Sequence, residues 1–293
     1  MKKEKPIGRL KKLLPMLITV GPVAVWMVLF VVVPFAYILA VSFMGRGTYG
    51  GVTLAFTFDN YRRIFDPAYL KVFGDSIMLS AVTTVLCALI AYPFAYFIAQ
   101  KSEVVKTVFI SAVMVPFMVS TLVRLFSWIN LLRTDGIINT LLVNLHILAK
   151  PVDMVYNSFG VTVGMVYTLI PFMILPLYSA IEKLDKSLLE AGGDLGATPF
   201  KSLLRITLPL TVPGLFAGCV MVFIPALGYF FVSDLLGGSK TLYIGNLIRN
   251  QFETAKDWPF GAALSIFLIA ITLLALFVYE KLGGSLENLG VSR

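Results

Sequence analysis

The chain has 293 residues, of which 58% are hydrophobic and only 14% are charged, and its formal net charge is +8. An ordinary soluble domain carries about 25% charged residues, so this much apolar surface requires a lipid bilayer as its solvent. The positive charges are not gathered into a basic face with interleaved aromatic residues, so we expect no nucleic-acid partner. The composition predicts an all-α membrane protein.

The N-terminus is basic and leads directly into a long apolar run. Six of the 24 Lys and Arg residues lie among the first twelve residues, and the apolar run extends over 13–44. This run exceeds the h-region of about 7–15 residues in a signal peptide, and no small-residue cleavage site ends it. We therefore expect a basic cytoplasmic segment, 1–13, followed by a retained first transmembrane helix.

Six segments are long and apolar enough to cross the bilayer. They cover residues 14–44, 74–100, 107–132, 158–181, 211–232 and 259–282. The bias of Lys and Arg places the N-terminus inside, so that the C-terminal tail, 283–293, and the polar loop, 182–210, are also cytoplasmic. The segment 14–282 is then a single transmembrane domain with both termini in the cytoplasm.

Some charged residues outside the polar loop, 182–210, have simple structural interpretations. The segment Phe56–Gly74 carries aromatic residues at helical spacing, which favours a surface helix on the headgroup layer over a substrate site. Asp75 is expected to cap the second span. For Arg124, in the third span, we expect an ion pair with Asp135 or Asp153, or snorkelling to the interface.

The segment from Glu190 to Pro209 is polar although it lies between two apolar spans. Its glycines weaken the helix that precedes them and allow a sharp turn. Thr198-Pro199 then begins a second helix, with proline at a tolerated first-turn position, and Pro209 is expected to end it before the next span. The pattern predicts two short helices at an angle, a shape that suits a groove on a soluble partner.

This segment resembles the EAA motif of bacterial ABC importer permeases. The matching features are Glu190-Ala191, then Gly196, and then Ile206 followed by Leu208-Pro209, with the spacing of that motif. Gly192 departs from it, because the family usually has a second alanine there. The resemblance implies a MetI-like ABC permease fold with six transmembrane helices and a helix that couples to an ATPase. The residues to which it assigns this coupling are Glu190, Ala191, Gly192, Asp194, Gly196, Ala197, Ile206, Leu208 and Pro209.

Further segments are similar to the permeases of spermidine/putrescine importers. They include PFMILPLYSAIEKLDKSLLEAGGDLGA, IPALGYFFVSDLLGGSKTLYIGNLI and DWPFGAALS. The resemblance implies a multi-pass protein of the bacterial inner membrane. Its implied partners are a homologous second permease, two ATPase subunits and an extracytoplasmic polyamine-binding protein. The chain has no GxxxxGK[ST] run, so ATP and Mg²⁺ are expected on the ATPase, and we expect no cofactor, metal or catalytic residue here.

Two acidic-aromatic clusters are candidate substrate contacts. A polyamine needs carboxylates for its ammonium groups and aromatic faces for cation–π contact. Tyr229, Phe230, Phe231 and Asp234 supply both at the end of the fifth span, although Asp234 could simply cap a turn. Glu253, Asp257 and Trp258 form the second cluster, where Trp258 could instead be an interfacial residue and Asp257 a helix start.

Three other functions are considered beside polyamine import. The chain could be an ABC permease for another small solute, such as an inorganic ion or a sugar. An ion-coupled secondary transporter is less compatible, because such carriers have ionisable residues at the midplane of several spans, whereas most acids here lie in loops or at span ends. A membrane scaffold would use the 182–210 loop to bind a different protein.

Overall fold

The computed structural model describes residues 19–238 and 241–281 and is mostly helical. The described residues divide into two compact units, one within 1–65 and 250–269 and the other within 66–249 and 270–293. The predicted cytoplasmic ends, 1–13 and 283–293, lie outside the described residues, as does the start of the first predicted span. The boundaries of a single domain at 14–282 therefore remain a prediction.

The first unit contains one long helix, a hairpin and a short helix. α1 is Thr19–Ser42, β1 is Met44–Arg46, β2 is Val52–Phe56 and α2 is Asp59–Ile64. The strands pair antiparallel, and the rings of Phe43, Phe56, Phe58 and Tyr61 gather at their base with centroids 5.0 to 5.7 Å apart. The sequence did not predict this hairpin, which is held by long-range aromatic packing.

The second unit carries most of the remaining helices. In chain order they are α3 (Pro67–Ala99), α4 (Glu103–Met118), α5 (Thr121–Leu132), α6 (Ile137–Asn144), α7 (Ser158–Glu182), α8 (Lys186–Asp194), α9 (Pro199–Gly228) and α10 (Phe230–Val232, continued by a π-turn over Ser233–Gly237). Two more helices, α11 (Ile244–Glu253) and α12 (Trp258–Lys281), have residues in both units.

Within the part of the chain that the structure describes, five helices are long and apolar enough to cross a membrane, which confirms most of the predicted spans. The third predicted span, 107–132, is not one continuous helix. It is a pair of helical segments, Glu103–Met118 and Thr121–Asn144, bent by 96°. Pro116 removes one backbone donor from the last turn of α4, and the extended backbone of Val119 then ends that helix. Counting this pair as one span gives six.

The second span begins earlier than predicted. Asp66 accepts a hydrogen bond from the Ala68 amide at 2.9 Å, and Pro67 occupies the first helical turn. Asp75 therefore lies inside α3, and its predicted role as the cap of this span is wrong. The predicted surface helix over Phe56–Gly74 is not continuous, because α2 ends at Ile64 and α3 starts at Pro67.

Three helices, α3, α7 and α9, pack together to form the core of the second unit. Small residues bring them close: a Cβ added to Gly218 of α9 would lie 2.6 Å from the Met173 sulfur of α7. Ala91 and Ala95 of α3 are fully buried. Close approach through small residues is the usual means by which membrane helices gain packing energy. Cys87 and Cys219 are free thiols on this apolar framework.

Candidate coupling site and candidate substrate residues

The polar segment after α7 begins with a capped helix. Asp185 is the N-cap of α8, and its carboxylate accepts a hydrogen bond from the Ser187 amide at 2.9 Å. Hydrogen bonding by the backbone and then by the side chain of Ser187 lowers the pKa of Asp185 below its ordinary value. The capping carboxylate is therefore ionised at neutral pH, where its charge also favours the helix N-terminus.

A glycine in the left-handed region ends α8. Gly196 has a φ of +78°. Its amide donates to the Gly193 carbonyl at 2.8 Å, and the Ala197 amide donates to the Gly192 carbonyl at 3.0 Å. These two bonds are the pair that defines a Schellman motif, in which glycine occupies the left-handed position. The sharp turn predicted at the glycines is confirmed, and Gly196 is the residue that makes it.

The second helix starts as predicted but does not end where predicted. Thr198 caps α9 by accepting from the Lys201 amide, and Pro199 follows in the first turn. We expected Pro209 to close this helix, and that is wrong, because α9 continues to Gly228. A π-turn over Leu203–Thr207 widens the helix immediately before Pro209. This widening relieves the clash that a proline ring makes with the preceding turn of an α-helix.

The two helices contact one another through Gly192. It is buried, and a Cβ placed on it would lie 2.6 Å from the Cδ1 atom of Ile206 and 3.6 Å from the Ser202 hydroxyl. Ser202 is also buried. The glycine that departs from the EAA pattern therefore has a packing role, because it lets α8 approach the π-turn of α9 closely.

The outer face of this helix–turn–helix exposes large apolar side chains. Leu188, Leu195 and Phe200 are 45%, 89% and 69% exposed. Glu190 and Asp194 are also exposed, and Leu208 is partly buried. Apolar side chains that protrude from a polar surface are typical of a protein interaction site. A cavity of about 460 Å³, which Glu190 also lines, lies against the same two helices.

A charged network lies beside this cavity and was missed by the sequence analysis. The ammonium group of Lys106 is 2.7 Å from the Glu103 carboxylate and 3.1 Å from that of Glu182, which also accepts from the Tyr178 hydroxyl at 2.5 Å. Lys106 is 8% exposed. The network ties α4 to the end of α7, just before the polar segment. Only the i, i+3 spacing of Glu103 and Lys106 could have indicated it.

The first candidate substrate cluster is already engaged by residues of the same chain. Asp234 lies in the π-turn of α10, where its carboxylate forms an ion pair with Arg249 and accepts a hydrogen bond from the Asn246 amide. The Arg249 guanidinium also lies 5.5 Å from the centre of the Phe230 ring. Phe230 stacks on Phe231, and Tyr229 stands at the break between α9 and α10. Asp234 therefore contributes an ion pair and a side-chain hydrogen bond, so its role is not limited to capping a turn.

The second candidate cluster belongs to the first unit. Asp257 is 1% exposed, and its carboxylate lies 2.9 Å from the Arg63 guanidinium and 3.3 Å from the Phe260 amide. The Arg63 guanidinium also covers the Phe260 ring at 3.9 Å. Glu253 is exposed near the end of α11, and Trp258 begins α12 and is 43% exposed. The two predicted clusters therefore lie in different units.

Arg124 does not have the partner that we predicted. Asp135 pairs with Arg133 at 3.2 Å, and Asp153 accepts from Thr134 at 2.8 Å. The Arg124 guanidinium instead donates to the Thr121 hydroxyl at 3.0 Å and faces the rings of Phe117 and Tyr167. The 96° bend of the α4–α5 pair places this arginine among these residues instead.

Among the described residues, no group of three or more His, Cys, Asp or Glu side chains could hold a metal ion. The candidate site is therefore built from helix geometry, ion pairs and exposed apolar groups.

Comparison with known proteins agrees with this architecture. Residues 86–287 match the family of binding-protein-dependent transport system inner membrane components. The chain is 43% identical over 264 residues to the spermidine/putrescine transport system permease protein PotB of Haemophilus influenzae, covering 90% of this chain and 92% of that one. The chain is 44% identical over 256 residues to PotB of Escherichia coli, and the alignment covers 87% of this chain and 93% of that one.

A solved structure shares the fold. A chain of a bacterial alginate ABC transporter, crystallised in complex with an alginate pentasaccharide-bound periplasmic protein, superimposes on this chain with a TM-score of 0.77. The match covers 98% of this chain and 100% of that one, at 18% identity. The chain therefore belongs to the inner-membrane permease family of binding-protein-dependent ABC transporters. It is a multi-pass membrane protein, and the relatives that it matches are transport permease proteins.

The contact at Gly192 allows a direct test. Gly192→Ala restores the alanine usual in the EAA motif, and we expect the free energy of unfolding to change by less than about 1 kcal/mol, because helix propensity improves while the end of the Ile206 side chain must shift. Gly192→Leu should destabilise by about 1–3 kcal/mol through overpacking. Thermal melting in detergent measures both. An equal loss in the two variants would contradict the proposed close contact.

Proposed function

We propose that this chain is a permease subunit of an ATP-driven polyamine importer that moves spermidine or putrescine. The observation that carries the proposal is the 43–44% identity, over nearly the whole chain, to permeases whose names specify these two solutes. The chain supplies half of the translocation pathway, and a homologous second permease supplies the other half. An extracytoplasmic binding protein delivers the polyamine.

In this proposal the helix–turn–helix of α8 and the start of α9 docks on an ATPase. Its exposed leucine and phenylalanine side chains enter an apolar groove of that subunit, while Glu190 and Asp194 lie at the rim. Two ATPase subunits bind ATP and Mg²⁺, one under each permease. Both termini of the chain and the 182–210 segment are then cytoplasmic, as the distribution of Lys and Arg indicates.

The cluster of Tyr229, Phe230, Phe231 and Asp234 is proposed to take a substrate ammonium group. The Arg249 guanidinium pairs with Asp234 and lies over the Phe230 ring. A carboxylate beside an aromatic face offers the same two contacts to any organic cation. A polyamine ammonium group competes with this guanidinium for Asp234 when the pathway changes conformation. Glu253 and Trp258 provide a second, more exposed contact, while Asp257 is engaged by Arg63.

Asp234→Asn is therefore expected to raise the KM for spermidine by about tenfold or more, since a hydrogen bond to a charged group contributes about 1.5–3 kcal/mol. Uptake by the reconstituted complex measures this. Asp135→Asn is the matched control, because Asp135 is also paired with an arginine but lies in the exposed segment between α5 and α6. An unchanged KM for Asp234→Asn would remove Asp234 from the substrate pathway.

The proposed function itself is tested with the unmodified complex in proteoliposomes. Labelled spermidine should accumulate only with ATP and the binding protein, and unlabelled putrescine should compete. Competition by a sugar or an inorganic cation, with none by polyamines, would overturn polyamine import and favour an ABC permease for another solute. Uptake that follows an ion gradient without ATP would instead indicate a secondary transporter.

A further inference from the structure

Asp75 is an acidic residue without a partner on a helix that is long enough to span the membrane. It lies inside α3, where its side chain is exposed. Among the described residues, its carboxylate takes part in no ion pair and no hydrogen bond. Lys71 precedes it by one helical turn but does not pair with it. Acidic residues within spanning helices commonly mark the path of a substrate or an ion, so the surroundings of Asp75 are informative.

Asp75 lines a cavity of about 350 Å³ in the second unit. Hydroxyl groups from two other parts of the chain line the same cavity: Ser158 and Thr162 at the start of α7, and Thr241 and Tyr243 immediately before α11. Apolar side chains complete its wall, namely Met78, Leu79, Val82 and Leu242. Small-molecule sites have volumes of about 300–1,000 Å³, and they combine apolar walls with a few polar groups in this way.

The polar groups of this cavity are suited to a ligand that donates hydrogen bonds. The Thr162 hydroxyl already donates to the Ser158 carbonyl at 2.8 Å, so its oxygen is left as an acceptor. The Tyr243 hydroxyl donates to the Ser158 hydroxyl at 3.3 Å, and the Thr241 hydroxyl is buried without a partner. An ammonium group has three donors and no acceptor, and the Asp75 carboxylate adds the opposite charge. An anionic ligand would be repelled by that carboxylate.

The position of the cavity along α7 places it far from the coupling segment. Ser158 is the first residue of α7 and Glu182 is the last, and a helix of 25 residues rises by roughly 37 Å. With the 182–210 segment in the cytoplasm, the cavity opens on the extracytoplasmic side, where the binding protein would release its solute. Thr241 also lies directly against Gly237, which ends the π-turn that carries Asp234. The cavity therefore adjoins the element that holds the first candidate substrate cluster.

We propose that Asp75 and this cavity form an extracytoplasmic subsite for one ammonium group of the transported cation, separate from the Asp234 cluster. The carboxylate and the hydroxyl oxygens accept from the ammonium group, and the adjoining methylene groups lie against Met78 and Leu242. A linear polyamine has more than one ammonium group, so two separate acidic subsites suit it. This inference rests on the proposed function, because it takes the transported solute to be a polyamine.

The charge preference of the cavity is tested by cysteine labelling of the whole complex in nanodiscs. Met78→Cys places a thiol on the cavity wall, one helical turn from Asp75, and leaves every polar group in place. The cationic reagent 2-aminoethyl methanethiosulfonate should react faster than its neutral 2-hydroxyethyl analogue. Adding Asp75→Asn should lower this ratio of rates by about threefold or more, since the attracting charge is lost. Mass spectrometry of the peptide that contains position 78 measures both rates, and putrescine should slow the cationic reagent.

Uptake of labelled spermidine by the reconstituted complex tests the subsite in transport. Asp75→Asn should lower kcat/KM by roughly tenfold or more, because a charge-assisted hydrogen bond to the ammonium group is lost. Asp75→Glu keeps the charge and should restore most of the uptake. Asp153→Asn is the matched control, because Asp153 is exposed shortly before α7, accepts from Thr134 and does not line the cavity. It removes the same charge and should leave uptake unchanged.

The two experiments separate a failure of this inference from a failure of the proposed function. A labelling ratio that is the same with Asp75 and with asparagine would overturn the subsite, as would an unchanged kcat/KM in Asp75→Asn or an equal loss in Asp75→Glu. Spermidine uptake by the wild-type complex without any protection by putrescine would overturn the subsite alone. Absence of spermidine uptake by the wild-type complex would overturn the proposed function, while the labelling still tests the cavity because it requires neither ATP nor transport.

Discussion

A valine at position 196 is expected to abolish ATP-dependent uptake while the membrane helices remain folded. Gly196 has a φ of +78° and makes the Schellman turn between α8 and α9. The left-handed conformation costs an ordinary residue about 1–2 kcal/mol, and a β-branched residue is especially unfavourable there. The turn should therefore reorganise, which moves α8 and the exposed side chains proposed to dock on the ATPase.

Gly193→Val is the matched control for this experiment. Gly193 lies three residues earlier, within α8, and a Cβ there meets nothing within 4 Å. Valine is not worse than glycine in a helix, so the control should retain coupling. Co-purification of the ATPase and uptake of labelled spermidine are measured for both. Normal ATPase binding by Gly196→Val would show that the turn does not set the docking surface.

Asp257→Ala is expected to destabilise the first unit by about 2 kcal/mol. The substitution removes the partner of Arg63 and one acceptor for the Phe260 amide. Losing one partner of a fully buried ion pair costs about 3–5 kcal/mol. The Arg63 side chain is 43% exposed, so water replaces part of the interaction and the expected cost is lower.

Hydrogen exchange over residues 44–64 of the whole complex measures this effect. Faster exchange is expected there, because Arg63 lies in α2, next to the hairpin. Asp59→Ala is the control, because Asp59 is exposed in the first turn of the same helix. This substitution should lower the free energy of unfolding by less than about 1 kcal/mol. Loss of uptake by Asp257→Ala with unchanged exchange would contradict a structural role and favour substrate contact.

The helix–turn–helix could be predicted because its signals are local. Thr198-Pro199 marks a helix start, and glycine is the residue that tolerates the left-handed turn, so both features follow from backbone chemistry. The end of the second helix could not be predicted from local signals. Pro209 normally interrupts a helix, but the π-turn before it provides the space its ring needs. Helix-breaking residues are tolerated in membrane spans when the surrounding turns adjust.

The candidate substrate residues could be selected from the sequence, but their partners could not. Asp234 pairs with Arg249, which lies fifteen residues later in the chain, and Asp257 pairs with Arg63, which lies 194 residues earlier. The second contact spans most of the chain, and no local pattern indicates it. The buried Lys106 was missed for the same reason, because one of its two carboxylates, Glu182, belongs to a different helix.

The sequence by itself determined that this chain lies in a membrane, approximately where its helices cross, and which polar segment turns back between two of them. Those properties depend on hydrophobicity and on backbone preferences, which act over a few residues. Only the tertiary structure decided that the third span bends by 96°, that Gly192 packs on Ile206, and that Arg124 lacks a carboxylate partner. Which charges meet depends on how helices distant in sequence pack, because an ion pair requires proximity in space.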